Sequence, residues 1–311
     1  MTTALLTHPD CRAHQTPPGH PEAPERLDAV EAALAGAPFA ALQRETAPVA
    51  DDAEPLRCHP QAHIDRLRAA LPETGTRALD PDTHVSARSF DAALRAVGAV
   101  TRAVDMVLAG AAANAFAAIR PPGHHAEAMR PMGFCLLGNV AIAARRALDH
   151  HGLRRVAVVD FDVHHGNGTQ DLLWDEPRAR FVSSHQMPLW PGTGAPDERG
   201  AHDNVLNLPL APGAGSAAFR AVWEREALPM LDAFAPELVL ISAGFDAHRA
   251  DPLAQLELET EDFAWITHRL CDLADAHAGG RVVSALEGGY DRAALGESAA
   301  AHVEGLMERG G

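Results

Sequence analysis

Short apolar runs recur along the chain, rich in β-branched residues, and each gives way to a polar or glycine-bearing segment. Val156–Val159 precedes Asp160, Phe181-Val182 precedes Ser183, Leu238–Ile241 precedes Ser242, and Arg281–Leu286 precedes Glu287. A weaker run, Ala115–Ile119, precedes Arg120. Near-continuous apolar runs of this length are what strands buried on both faces look like. Between them the period lengthens to that of helices, over Ser89–Ala109, Val140–His150, Ala217–Phe234 and Glu261–Ala276, with Asn139 as a predicted N-cap. Alternating strands and helices predict an α/β fold with a mostly parallel sheet and helices on both faces. There is no internal repeat, low-complexity tract or long linker, so one domain over residues 1–311 is expected. In such sheets ligands bind beyond the carboxyl ends of the strands. The chemistry should therefore follow each apolar run.

Composition narrows the class. The apolar fraction is 47 % and the charged fraction 22 %, an ordinary globular balance. Acidic residues outnumber basic ones 42 to 26, a net charge of −16, which argues against a nucleic-acid groove and would suit a cationic substrate. Every one of the 26 cations is Arg; Lys is absent. No apolar run approaches the roughly 20 residues of a membrane span, and residues 1–8 lack a basic, then apolar, leader pattern. Cys11, Cys58, Cys135 and Cys271 are scattered without CxxC spacing, so reduced thiols in a cytoplasmic protein are expected.

The segments after the strands carry the chemistry. They are Arg120-Pro121-Pro122-Gly123-His124-His125, then Asp160 to Gly168, Ser242 to His248, and Glu287-Gly288-Gly289-Tyr290. Packing alone does not predict ligand-type residues after these strands and never before them. Asp162 and His164 are two apart, so on extended chain they point the same way. With Asp246 they make an open set of two carboxylates and one imidazole, which suits a catalytic metal rather than a closed structural zinc site. Taken alone, Asp-x-His would more simply satisfy loop backbone groups. His124 and His125, on a Pro-stiffened approach, are candidate general acid and base groups. Asp160 and Asn167 are the available partners to fix their tautomers, and an Asp partner favours the imidazolium where an Asn partner does not. Tyr290, the sole Tyr, follows a Gly pair and could hold an oxyanion. His150-His151, at a predicted helix end, reads as solvated.

These residues resemble the zinc-dependent histone deacetylase family, including its bacterial amidohydrolase and acetylpolyamine amidohydrolase members. Arg-Pro-Pro-Gly-His-His-Ala at 120–126, Gly-Phe-Cys at 133–135, Asp-Val-His-His-Gly-Asn-Gly-Thr-Gln at 162–170, Ser-Ala-Gly-Phe-Asp-Ala at 242–247 and Glu-Gly-Gly-Tyr at 287–290 occur in family order. The similarity runs from His20-Pro21-Glu22 to Tyr290, and Asn167 resembles the class II branch. The resemblance implies an arginase-like sheet of about eight strands. It implies Asp162, His164 and Asp246 as zinc ligands, and His124 and His125 as the tandem pair with His125 the better candidate for general base and acid. It also implies Tyr290 as the group that polarises the carbonyl. Asp160, the carbonyls of Asp162 and His164, and Ser183-Ser184 resemble a monovalent-cation site, usually potassium. Gly133, Phe134 and Trp190 resemble the walls of an acyl-lysine tunnel, with Gly288 and Leu253 also in the substrate site. Trp190 stands where Phe or Tyr is expected, implying a narrower or reshaped tunnel, and Leu137-Gly138-Asn139 replaces a commoner Phe-Asn-Asn run.

The implied reaction is hydrolysis of an acylated primary amine: acyl-lysine in a protein or peptide, or a related small amide. Acetylpolyamine is the alternative. The net charge favours a polycation, but Leu253 occupies the place where an acidic gatekeeper is expected. Asp82 could accept a hydrogen bond from a substrate amide, or equally cap the start of the helix near Ser86–Phe90. The loop His14–His20 could form a rim or a solvated turn. A two-metal ureohydrolase would need Asp-x-Asp in place of Phe245-Asp246. A non-catalytic acyl-ligand sensor should have lost Tyr290 or one His of the pair; both are present.

Overall fold

The computed structural model describes residues 2–310. Among the described residues ten strands form: β1 (Thr3–Thr7), β2 (Gln43–Thr46), β3 (Thr76–Ala78), β4 (His84–Ser86), β5 (Asn114–Ala117), β6 (Val156–Asp160), β7 (Ala179–Gln186), β8 (Val205–Leu210), β9 (Leu238–Ala243) and β10 (Val282–Leu286). Eight build one sheet in the order β2-β1-β5-β10-β9-β6-β7-β8. Every neighbouring pair in it is parallel. β3 and β4 form a separate antiparallel pair.

The central strands β5, β6, β9 and β10 are buried at every position, so both faces are covered. The cover is helical: α1 (Glu25–Ala33), α2 (Gln61–Ala70), α3 (Ser89–Leu108), α4 (Asn139–Asp149), α5 (Asn167–Leu173), α6 (Ser216–Val222), α7 (Leu228–Phe234), α8 (Thr260–His277) and α9 (Arg292–Gly310). α3 packs on α4, while α9 packs on both α1 and α8. This is the expected α/β architecture.

Several local expectations are corrected. Asn139 does not cap α4 but is its first residue, and its amide donates to the Pro121 carbonyl at 3.2 Å. Asp82 caps no helix: α3 begins at Ser89, and the Asp82 carboxylate accepts from the Thr83 hydroxyl at 3.1 Å. The helical stretch over 217–234 is broken by a π turn, Trp223–Ala227. His14 is buried rather than solvated, bonded to Ser89 Oγ at 2.7 Å. All four cysteines are free thiols. None of the described helices is long and apolar enough to cross a membrane.

Candidate active site

The turn after β6 and the end of β9 bring Asp162, His164 and Asp246 together, with one donor atom of each within 4.8 Å of the others. His164 Nδ1 lies 3.2 Å from Asp162 Oδ1 and 3.1 Å from Asp246 Oδ2. The backbone holds both carboxylates in place: Gly288 N–H donates to Asp162 Oδ2 at 2.8 Å and Val163 N–H to Asp246 Oδ1 at 2.9 Å. Such close approach requires glycine. A Cβ on Gly244 would sit 2.0 Å from Asp162 Oδ2, and one on Gly288 2.2 Å from Asp246 Oδ2.

The electrostatics of the cluster follow from its crowded carboxylates. Burial, then the Asp162 charge, pushes the Asp246 carboxyl up to about 7. Burial opposes a charged His164, but hydrogen bonds to Asp162 and Asp246 raise it to about 10. Both groups therefore favour holding a proton, which offsets the two facing carboxylates. The donor set fits a divalent cation, which would replace that proton.

The tandem histidines stand in contrasting surroundings. Their rings tilt against each other with centroids 3.9 Å apart, and both are buried. His124 Nδ1–H donates to Asp160 Oδ2 at 2.9 Å. Burial works against its charge, but Asp162 and Asp160 outweigh that and hold its pKa well above the ordinary value. His125 Nδ1 lies 2.8 Å from Asn167 Oδ1. Burial, then the neighbouring His124 and His164, pulls its pKa well below the ordinary value. The two surroundings thus push the imidazoles in opposite directions, His124 toward its charged form and His125 toward its neutral one.

These groups border a cavity of about 350 Å³, lined by His125, His164, Phe134, Trp190, Leu253, Tyr290 and Asp82 among others. His125 and His164 mark its buried end, whereas Trp190 is 40 % exposed. A Cβ on Gly133 would meet His125 at 2.4 Å and Trp190 at 2.6 Å, so this wall is closely fitted. Trp190 stands edge-on to His125, centroids 4.7 Å apart. Burial, then neighbouring Asp80, pushes the Asp82 carboxyl up. The His14–His20 loop contributes His20 to the same wall, its ring 4.8 Å from that of Phe134.

Tyr290 is held from three sides. Its N–H donates to Asp251 Oδ2 at 2.7 Å, the Arg26 guanidinium lies 5.0 Å from its ring centre, and Arg26 Nε donates to the Gly289 carbonyl at 2.6 Å. Burial raises the phenol pKa well above 10, so the group remains an O–H donor. Ser183 pairs with Asp160 across β6 and β7; both it and Ser184 are buried. Ser183 Oγ meets His185 Nδ1 at 3.0 Å, and Ser184 Oγ accepts from Trp223 at 3.1 Å.

Three supporting groups escaped the sequence reading. Glu287 Oε2 accepts the N–H groups of Gly123 and His124 at 2.6 and 3.2 Å, tying β10 to the histidine loop. Glu127 accepts from the Asn167 amide at 2.8 Å. Arg120, Glu22 and Arg26 form a buried charge network behind Tyr290. Glu287, Arg120 and Glu22 lie inside quoted motifs and Glu127 directly follows one, but nothing local shows that Arg120, Glu22 and Arg26 meet, because the network joins distant segments.

Known proteins resemble the chain along most of its length. The pattern of the histone deacetylase domain matches residues 20–306. A histone deacetylase-like amidohydrolase of Pseudomonas aeruginosa is 41 % identical over 88 % of this chain and 73 % of its own length. Histone deacetylase 14, chloroplastic, of Arabidopsis thaliana is 39 % identical over 93 % of this chain and 73 % of its own. The crystal structure of the HDA15 HD domain superimposes with a TM-score of 0.93 at 33 % identity, covering 99 % of this chain and 88 % of that one. The fold, the domain match and these relatives agree: the chain belongs to the histone deacetylase family, a family of deacetylases and amidohydrolases.

Proposed function

We propose that the protein is a zinc-dependent deacylase that hydrolyses the linear amide of an acylated primary amine, foremost acyl-lysine in proteins or peptides. The observation that carries this reading is the convergence of the Asp162–His164–Asp246 cluster, His125 and the Tyr290 phenol on one narrow, largely apolar cavity. Asp162, His164 and Asp246 would hold the zinc ion, which when bound supplies Lewis-acid polarisation of the carbonyl and a more acidic water.

The remaining work falls to side chains of this chain. Phe134, Trp190 and Leu253 bind the acyl-amine stem through apolar contact and exclude water, while Gly133 and Gly288 leave room for close approach. Tyr290 O–H donates to the carbonyl oxygen and holds the oxyanion as it develops. His125 accepts the proton of the attacking water at Nε2, because its Nδ1–H is engaged by Asn167, and returns it to the leaving amine. His124, pushed toward its cationic form by Asp162 and Asp160, steadies negative charge beside the reaction. Asp82 accepts the substrate amide N–H at the cavity wall.

A structural potassium ion is part of the proposal, held by Asp160, the carbonyls of Asp162 and His164, and Ser183-Ser184. In support, those two carbonyls accept no hydrogen bond among the described residues. A cytoplasmic setting is in keeping with the four free thiols. Acetylpolyamine is the second substrate reading, favoured by the net charge of −16. Against it, Asp82 is the single carboxylate lining the cavity among the described residues.

The test is release of acyl acid from acyl-lysine peptides, acetylpolyamines and small amides, with and without chelator, alongside metal analysis. Chelator-sensitive release from acyl-lysine peptides is expected. Binding without acid release across the panel would refute the enzyme reading.

A further inference from the structure

Asn167 has two ends, and the structure settles which faces which neighbour. Its Nδ2 donates to Glu127 Oε1 at 2.8 Å and also points at the Met132 thioether, 3.4 Å away. A carboxylate only accepts hydrogen bonds. The amide cannot flip without setting its oxygen against the Glu127 carboxylate. Its Oδ1 must then face His125 Nδ1, which lies 2.8 Å away. An amide oxygen also only accepts, so His125 must carry its proton on Nδ1. The lone pair of the neutral ring is left on Nε2.

We propose that Glu127 is a positioning residue that fixes the amide orientation of Asn167 and, through it, the tautomer of His125. This rests on the reading of His125 as the proton carrier. Glu127 reaches His125 only through Asn167 and is not among the residues that line the cavity. Its part is to prevent the one rearrangement of Asn167 that would put an N–H donor against His125 and leave Nδ1 as the acceptor.

Two kinds of measurement test this. In protein labelled with ¹⁵N-histidine, with the His125 signals assigned by their loss in His125→Gln, the wild type should show a protonated Nδ1 and a free Nε2. Glu127→Ala should shift His125 toward a mixture of tautomers. On an acetyl-lysine peptide, Glu127→Ala should lower kcat about tenfold with KM little changed, in the range typical for outer hydrogen-bond partners of a reacting site. Glu127→Gln, which can accept from the Asn167 amide or, turned over, donate to it, should fall between wild type and Glu127→Ala in both kcat and tautomer. Asn167→Asp alone sets two carboxylates face to face and should lose at least about tenfold. The double variant Asn167→Asp with Glu127→Gln restores a donor facing an acceptor and should regain activity.

An unchanged His125 tautomer in Glu127→Ala overturns the proposal, as does Asn167→Asp with wild-type kcat. Full activity in His125→Gln would instead overturn the proton-carrier reading, and the nitrogen shifts would then decide the role of Glu127 by themselves.

Discussion

Removing the charge of Glu22 should loosen the fold and the site together. Glu22 is fully buried. Arg120 grips it with two nitrogens, one contact at 2.6 Å, Arg26 Nη1 reaches it at 3.2 Å, and His14 Nε2 lies 3.4 Å away. In Glu22→Gln two buried guanidinium groups lose their shared counter-charge. They keep uncharged backbone partners: the carbonyls of Cys11, His14 and residue 22 itself for Arg120, and those of Gly289 and Glu287 for Arg26. Breaking a buried pair from one side costs about 3–5 kcal/mol. For a chain of this size each kcal/mol is worth roughly 2 °C, so the melting temperature should fall by about 6–10 °C.

The pH dependence gives an internal control. Burial pushes the Glu22 carboxyl up, but Arg120 and His14 outweigh it and hold the group well below 4.5. Its folded pKa is therefore depressed relative to the unfolded chain, and its stabilisation is present above about pH 4.5. That stabilisation fades as pH falls toward the depressed value. The melting gap between wild type and Glu22→Gln should narrow as pH drops below about 4.5. Thermal unfolding followed by circular dichroism at several pH values measures both effects. A variant melting within about 1 °C of wild type at neutral pH would refute the reasoning, as would a gap that widens in acid.

Other outcomes follow from the site. Tyr290→Phe should lower kcat by about 10²–10³-fold, as loss of an oxyanion donor does elsewhere, while the metal content measured by mass spectrometry stays at the wild-type level. Asp246→Ala leaves two of three donor side chains and should purify without stoichiometric metal; full occupancy would count against ligation. Leu253→Glu places a carboxylate at the cavity wall and should raise kcat/KM for acetylpolyamine relative to acetyl-lysine peptide by about tenfold. An unchanged ratio would remove Leu253 from the account of selectivity.

The parts of the fold that could be read from sequence were those with one dominant physical signal. Strands β5, β6, β9 and β10 are buried on both faces, so their apolar runs are nearly unbroken. β8 carries Asn207 and Pro209, tolerated because it is the sheet edge, and so it does not read as a strand. α5 begins inside His165-Gly166-Asn167-Gly168, where two glycines suggest loop. Within the site, Asp162, His164, Asp246, the histidine pair and Tyr290 stood out because ligand-type side chains follow strands. Glu22 did not: its partner Arg120 lies 98 residues away, and only the completed sheet brings them together.

The two edges of the sheet also differ in how freely the chain can be cut. At the carboxyl edge, glycines such as Gly168 and Gly244 are pressed against backbone or ligand atoms, with hypothetical Cβ contacts of 2.5 and 2.0 Å. At the amino edge, the turns entering β5, β6 and β10 carry Gly110, Gly152 and Gly279, each facing open space. Gly310 packs against Thr3 on that same edge, where its Cβ would lie 2.7 Å from the Thr3 hydroxyl. Residues 3 and 310 therefore meet on the side of the sheet away from the chemistry. A circular permutant that opens at Gly152 and joins Gly310 to Thr3 through a short linker should fold and retain chelator-sensitive activity. One opened at Gly168 should lose it.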